Sequence, residues 1–137
     1  MKKIILTLIA LVTVGSSLWL ANDKTQKIDT NMTLESTLFS KFKHKIGKEP
    51  LMIEFGSVSC HSCQVMGNIL YKIKQKHPQS NIYFIDIYED KEVAREFGIR
   101  MIPTQKYLDK NGNVVDTHMG VIEQDELEEK LKTLNII

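Results

Sequence analysis

The sequence predicts an α/β fold: a central mixed β-sheet flanked by helices, set behind an N-terminal hydrophobic leader. Three observations carry this. Two short, nearly unbroken apolar runs, LMIEF at 51–55 and IYFIDI at 82–87, have the composition of strands covered on both faces. Segments with apolar residues three and four apart lie before, between and after them, as amphipathic helices do. Asp109-Lys110-Asn111-Gly112 separates two further strand-like runs and is a hairpin signal. Strand–helix alternation closed by a hairpin gives a mixed sheet.

In chain order, Lys2 and Lys3 open the sequence, and residues 4–21 then run without a charge. This segment, 1–21, is read as a signal peptide or a membrane anchor. Residues 4–14 fit a signal-peptide core with Val14-Gly15-Ser16 as a cleavage site, whereas Leu18-Trp19-Leu20 suits an anchor. Either way the expected location is extracytoplasmic: the bacterial periplasm or the outer face of the inner membrane. Residues 22–31 are polar and read as a linker, and 32–137 as one domain. Without the two leading lysines, 16 basic residues face 17 acidic ones. No basic cluster is interleaved with aromatics, so nucleic acid is not an expected partner.

Within the domain, Leu34, Leu38, Phe42 and Ile46 recur at helical spacing and predict a helix over 33–45, ended by Gly47 and Pro50. After the strand 51–55, residues 64–77 carry Val65, Met66, Ile69, Leu70 and Ile73 on one side and stop at His77-Pro78. After the strand 82–87, residues 89–97 predict a short helix with Gly98 as its C-terminal cap. Residues 104–108 and 113–119 are the hairpin strands. Residues 124–134 form a last helix with Leu127, Leu131 and Leu134 facing inward.

Cys60 and Cys63 are the only cysteines, two residues apart, where the first strand hands over to a helix. A sulfur at a helix N-terminus meets unpaired N–H groups and the positive end of the dipole, which favour thiolate. Cys60 is therefore the candidate nucleophile, with a structural cysteine or inert disulfide as the alternative. Cys63, three residues on, lies nearly on the same helical face and can reach the Cys60 sulfur as the resolving cysteine. His61 beside Cys60 would, as a cation, stabilise the thiolate and make the pair more oxidising; otherwise it is a solvent-facing residue of the first turn. Glu54 stands in mid-strand, where a lone buried carboxyl has a raised pKa; the alternative is an edge acid paired with a surface lysine.

These features resemble the thioredoxin superfamily. The resemblance runs from about Thr33 to the C-terminus. It is carried by Glu54-Phe55, Cys60-His61-Ser62-Cys63, the block Phe97-Gly98-Ile99-Arg100-Met101-Ile102-Pro103-Thr104, Asn111-Gly112 and Gly120. It implies a thioredoxin-like fold and thiol-disulfide oxidoreductase activity through a redox-active Cys60–Cys63 disulfide, with no other cofactor. It also implies that Glu54 moves protons to and from Cys63 and that Pro103 is a cis-proline facing the cysteines. The Met101 and Ile102 backbone would hydrogen-bond a substrate segment. Val58, Met66 and Met101 are candidates to line that surface, with core packing as the alternative for Met66.

The chain departs from thioredoxins in having Ser59 where they carry tryptophan, His61-Ser62 where they carry Gly-Pro, Asn68 in place of a helix proline, and Phe84 where a lysine is common. Its acid is glutamate, as in protein disulfide isomerase domains. One cysteine pair is too few for a structural zinc site, and Gln64 after Cys63 excludes the haem-attachment motif. Cys60, Cys63 and His61 could bind copper(I), but no metal site is expected, and His44, His77 and His118 read as scattered surface or loop residues. The favoured function is reduction of protein disulfides outside the cytoplasm by a monomer that a membrane thiol electron carrier recharges. The alternatives are a disulfide donor or isomerase, or a non-catalytic copper- or peptide-binding module.

Overall fold

A computed structural model describes residues 31–137. The leader at 1–21, and all of the linker but Asn31, lie outside the described residues. Among the described residues, no helix is long and apolar enough to cross a membrane.

The elements are α1 (Phe39–Phe42) running into a 3-10 turn (Lys43–Lys45), β1 (Leu51–Gly56), α2 (His61–Lys76), β2 (Ile82–Asp86), α3 (Lys91–Glu96), β3 (Thr104–Leu108), β4 (Val114–Met119) and α4 (Gln124–Thr133). The sheet has four strands in the order β2-β1-β3-β4. β1 pairs with β2 in parallel and with β3 antiparallel, and β3–β4 is the expected hairpin.

β1 is buried at every position, as expected of its nearly unbroken apolar run. Its side chains alternate between two cores. Leu51, Ile53 and Phe55 join Ile85, Leu108, Phe42 of α1 and Ala94 of α3. Met52 joins Ile82, Tyr107, the apolar stripe of α2 (Met66, Ile69, Leu70, Ile73) and Leu127 and Leu131 of α4. Glu54 shares the Met52 parity, so it points under α2. Gly98 takes φ +66° directly after the turn that ends α3, the left-handed C-cap expected of it.

The helix expected over 33–45 is corrected. Only 39–42 is α-helical, and 33–38 holds no helix, only an isolated bridge at Ser36. Leu34 and Phe42 share a helical spacing but not a face: Leu34 packs into the α2/α4 core, and Phe42 into the core on the other side of the sheet. Backbone pairing holds the segment open: Leu34 N–H donates to Gly67 O (3.2 Å), Thr37 N–H donates to Phe84 O (2.7 Å), and Ser36 bridges Phe84 in parallel. Here tertiary pairing overrides periodicity. Of the two readings of Met66, core packing holds: it is fully buried.

Gly56, the last residue of β1, sits where α2 comes closest. A Cβ there would lie 3.1 Å from Phe84 Cε2 and 3.2 Å from Cys63 Cβ. Gly56→Ala should destabilise the protein by about 1–3 kcal/mol, the usual cost of overpacking. Denaturant unfolding checks this; an unchanged midpoint would mean that the helix can back away from the strand at no cost.

Candidate active site

The turn after β1 brings the chain to Cys60, which caps α2 with φ −93° and ψ 119°. Its Sγ accepts the Cys63 N–H at 3.3 Å and lies 3.4 Å from Ser62 Oγ. A sulfur thus occupies the capping position that an Asp or Ser oxygen commonly fills, at the positive end of a sixteen-residue helix. Cys60 and Cys63 form a disulfide, with Cα atoms 5.2 Å apart. The two sulfurs are not equivalent: Cys60 is half-buried and Cys63 is buried. His61 is exposed on the first turn beside Cys60, and Ser62 is half-buried.

The turn is held by groups that sequence reasoning missed. Asp86, buried at the end of β2, accepts Val58 N–H through Oδ2 (3.1 Å) and Tyr88 N–H through Oδ1 (2.8 Å). Gln64 Nε2 donates to Val58 O at 2.9 Å, and Ser57 and Ser59 hydroxyls lie 3.0 Å apart. The signal for Asp86 was present: it is the one acid in an apolar strand, as Glu54 is in its own.

Glu54 is 1% exposed. In the sheet it lies between Phe84 of β2 and Gln105 of β3. No hydrogen bond reaches either carboxylate oxygen among the described residues. Burial pushes its carboxyl well above the ordinary range, and the Gln105 amide offsets only part of this. Glu54 and Cys63 line one cavity of about 290 Å³, walled by Thr33, Leu34, Val58 and Phe84. The cavity has room for water between the acid and the buried sulfur.

The sheet register carries Pro103 to the same end. Phe55 pairs with Thr104, so Pro103 directly precedes the β3 residue that meets the end of β1. The Ile102–Pro103 peptide is cis. Gly120 N–H donates to Pro103 O (2.8 Å), and Thr104 Oγ1 donates to Met101 O (2.8 Å), which fixes the loop from both sides. Met101 is exposed, as is Val58, and Ile102 is half-buried. Among the described residues, no group of three or more His, Cys, Asp or Glu side chains is placed to hold a metal ion. His118 is corrected from a surface or loop residue: it is half-buried on β4 opposite Gln105, with Nε2 shielded from solvent.

Strand, capped cysteine helix and cis-proline loop together are matched by one family. The thioredoxin family model covers residues 32–133. The chain belongs to the thioredoxin family. It is 33% identical over 86 residues to the mitochondrial thioredoxin of Bos taurus, an alignment covering 62% of this chain and 51% of that protein. It is 29% identical over 96 residues to an H-type thioredoxin of Picea mariana, covering 69% of this chain and 75% of that one. The crystal structure of a Nicotiana alata thioredoxin superposes with a TM-score of 0.61 at 26% identity, covering 69% of this chain and 82% of that one. The chain spans about half the length of the mitochondrial relatives it matches. Within the thioredoxin frame, Phe84 stands opposite Glu54, so the acid is left without the lysine neighbour common in thioredoxins.

This burial has a consequence for stability. Between about 4.5, the ordinary midpoint, and the raised midpoint of Glu54, the folded protein holds a proton that the unfolded chain has released. Folded stability therefore falls as pH rises through that window, by about 1.4 kcal/mol per pH unit. Glu54→Gln escapes this loss. With the disulfide intact, it should be more stable than the parent above the window, and the advantage should disappear as pH falls to the ordinary carboxyl range. Thermal unfolding against pH tests this; a constant difference at all pH values would contradict it.

Proposed function

We propose that this protein is a thiol-disulfide oxidoreductase that reduces protein disulfides outside the cytoplasm. The observation that carries the reading is the unequal pair of sulfurs: one half-buried at the cap of a helix, the other buried beside a carboxyl of raised pKa. In the reduced protein, the Cys60 thiolate attacks a substrate disulfide R–S–S–R′, forms Cys60–S–S–R and expels R′–S⁻, which takes up a proton. Cys63 then gives its proton to Glu54, through water in the cavity, and its sulfur attacks the Cys60 sulfur. R–S⁻ leaves and is protonated in turn. Two electrons pass from the dithiol to the substrate, and Cys60–Cys63 ends as the disulfide. Exposed Val58 and Met101 offer apolar contact to the substrate chain, and the backbone around Ile102 and Pro103 offers strand-like hydrogen bonds.

The charge-free leader after Lys2 and Lys3 supports export or anchoring. An exported dithiol needs an electron source, and a membrane thiol carrier supplies one without further cofactors. The protein acts as a monomer in this reading. His61, exposed beside Cys60, favours the reverse direction, since a cation there stabilises the reduced form and makes the pair a disulfide donor. Equilibration with dithiothreitol and with glutathione separates the two. A reductase stays oxidised in a glutathione buffer and is reduced by dithiothreitol; a donor is reduced by both.

Reduction of insulin disulfides by the full chain with dithiothreitol tests the activity. Cys60→Ser should reduce it to background. Cys63→Ser should instead accumulate a mixed disulfide at Cys60 that survives non-reducing electrophoresis. Unchanged function in Cys60→Ser would leave a copper- or peptide-binding module as the reading.

A further inference from the structure

Among the apolar side chains of one sheet face runs a polar row, of which the mechanism above uses only Glu54. Glu54 of β1, Gln105 of β3 and His118 of β4 are direct cross-strand partners, so their side chains lie side by side on the α2/α4 face. Gln105 is fully buried, an expensive place for an amide. Its Nε2 donates one hydrogen to Gly120 O at 3.1 Å, which fixes the orientation of the amide. That nitrogen has a second hydrogen to give. Gly120 in turn donates its own N–H to Pro103 O at 2.8 Å. One side chain therefore stands between the buried acid and the cis-proline loop.

We propose that Gln105 is the positioning residue for Glu54: anchored on the Gly120 carbonyl, it offers its second N–H to the ionised carboxylate and ties the proton acceptor to the Pro103 loop. The inference deepens the proposed reaction and rests on it for the role of Glu54, but the contact itself needs no substrate. In the oxidised structure the amide bears on Glu54 without reaching hydrogen-bond geometry. The proposed N–H contact forms when the acid ionises. No cation bears on Glu54 among the described residues, so the amide is the group that favours its charged form. The titratable groups around it are Cys63 from α2, Tyr107 from β3 and His118 at the β4 end of the row. Asp116, Glu126 and Lys130 lie beyond Tyr107.

The test uses the labelled full chain with its disulfide intact, so that neither cysteine titrates. The Glu54 carboxyl carbon and the Gln105 side-chain amide are followed by NMR against pH. One Gln105 amide hydrogen should shift with the same midpoint as the Glu54 carboxyl and lose that response in Glu54→Gln. Gln105→Met, of similar volume but with no donor, should make Glu54 hold its proton about tenfold more tightly, the effect of one hydrogen bond to a charged group. In the reduced protein, the pH profile for resolution of the mixed disulfide should move upward by the same factor in Gln105→Met.

An amide that does not follow the Glu54 titration in the parent protein overturns the proposal, whether or not Gln105→Met folds. A response that persists in Glu54→Gln comes from a group other than Glu54 and also overturns it. Failure of the reductase reading would show differently: the titrations would stay coupled while Cys60→Ser left function untouched.

Discussion

The structure depends on where a helix begins. The first amide groups of α2 have no partners within the helix. The chain supplies one from a sulfur, with Cys60 Sγ accepting the Cys63 N–H. This requires the end of β1 and the first turn of α2 to be nearly in contact, and Gly56 is the residue that permits it. From that junction, one sulfur is left half-exposed at the positive end of the helix and the other is turned inward over the sheet. Asp86 and Gln64 hold the intervening turn, so the cap does not rest on the cysteines alone.

The second constraint is an uncompensated charge. Glu54 lies on the inner face of the most buried strand, beside Phe84 and without a hydrogen bond among the described residues. A protein selected only for stability would have an apolar side chain there. In the proposed reaction, the acid serves the buried sulfur as a proton acceptor across the cavity that both line. The cis-proline loop is tied through Gly120 to Gln105, the cross-strand neighbour of Glu54 on β3. Acid, sulfur and loop are thus parts of one structural unit, set by the register of β1 against β3.

Much of this was legible in the sequence because each signal was local. Cys60 and Cys63 announced themselves by spacing and by the strand–helix switch around them, and the hairpin by Asn111-Gly112. Pro103 was legible through family resemblance, which implied the cis bond that the structure contains. What failed needed knowledge of which side of the sheet a residue joins. Leu34 and Phe42 fit one helical stripe in sequence, yet they pack on opposite faces. Gln105 drew no attention in the sequence and His118 read as a surface or loop residue, until the register set Gln105 beside Glu54 and His118 beside Gln105. Asp86 stood out as the one acid of its strand, but its role did not: that lies in two loop amides that no spacing rule connects to it.

In the mechanism proposed above, helix capping makes Cys60 the ionised, attacking sulfur. The most direct measurement is the rate of alkylation at each cysteine of the reduced full chain against pH, with modified sites assigned by mass spectrometry. The account predicts that Cys60 is modified first, with a midpoint clearly below the ordinary thiol value of about 8.5. A Cys60 that titrates at that ordinary value, or a Cys63 that reacts ahead of it, would contradict the account.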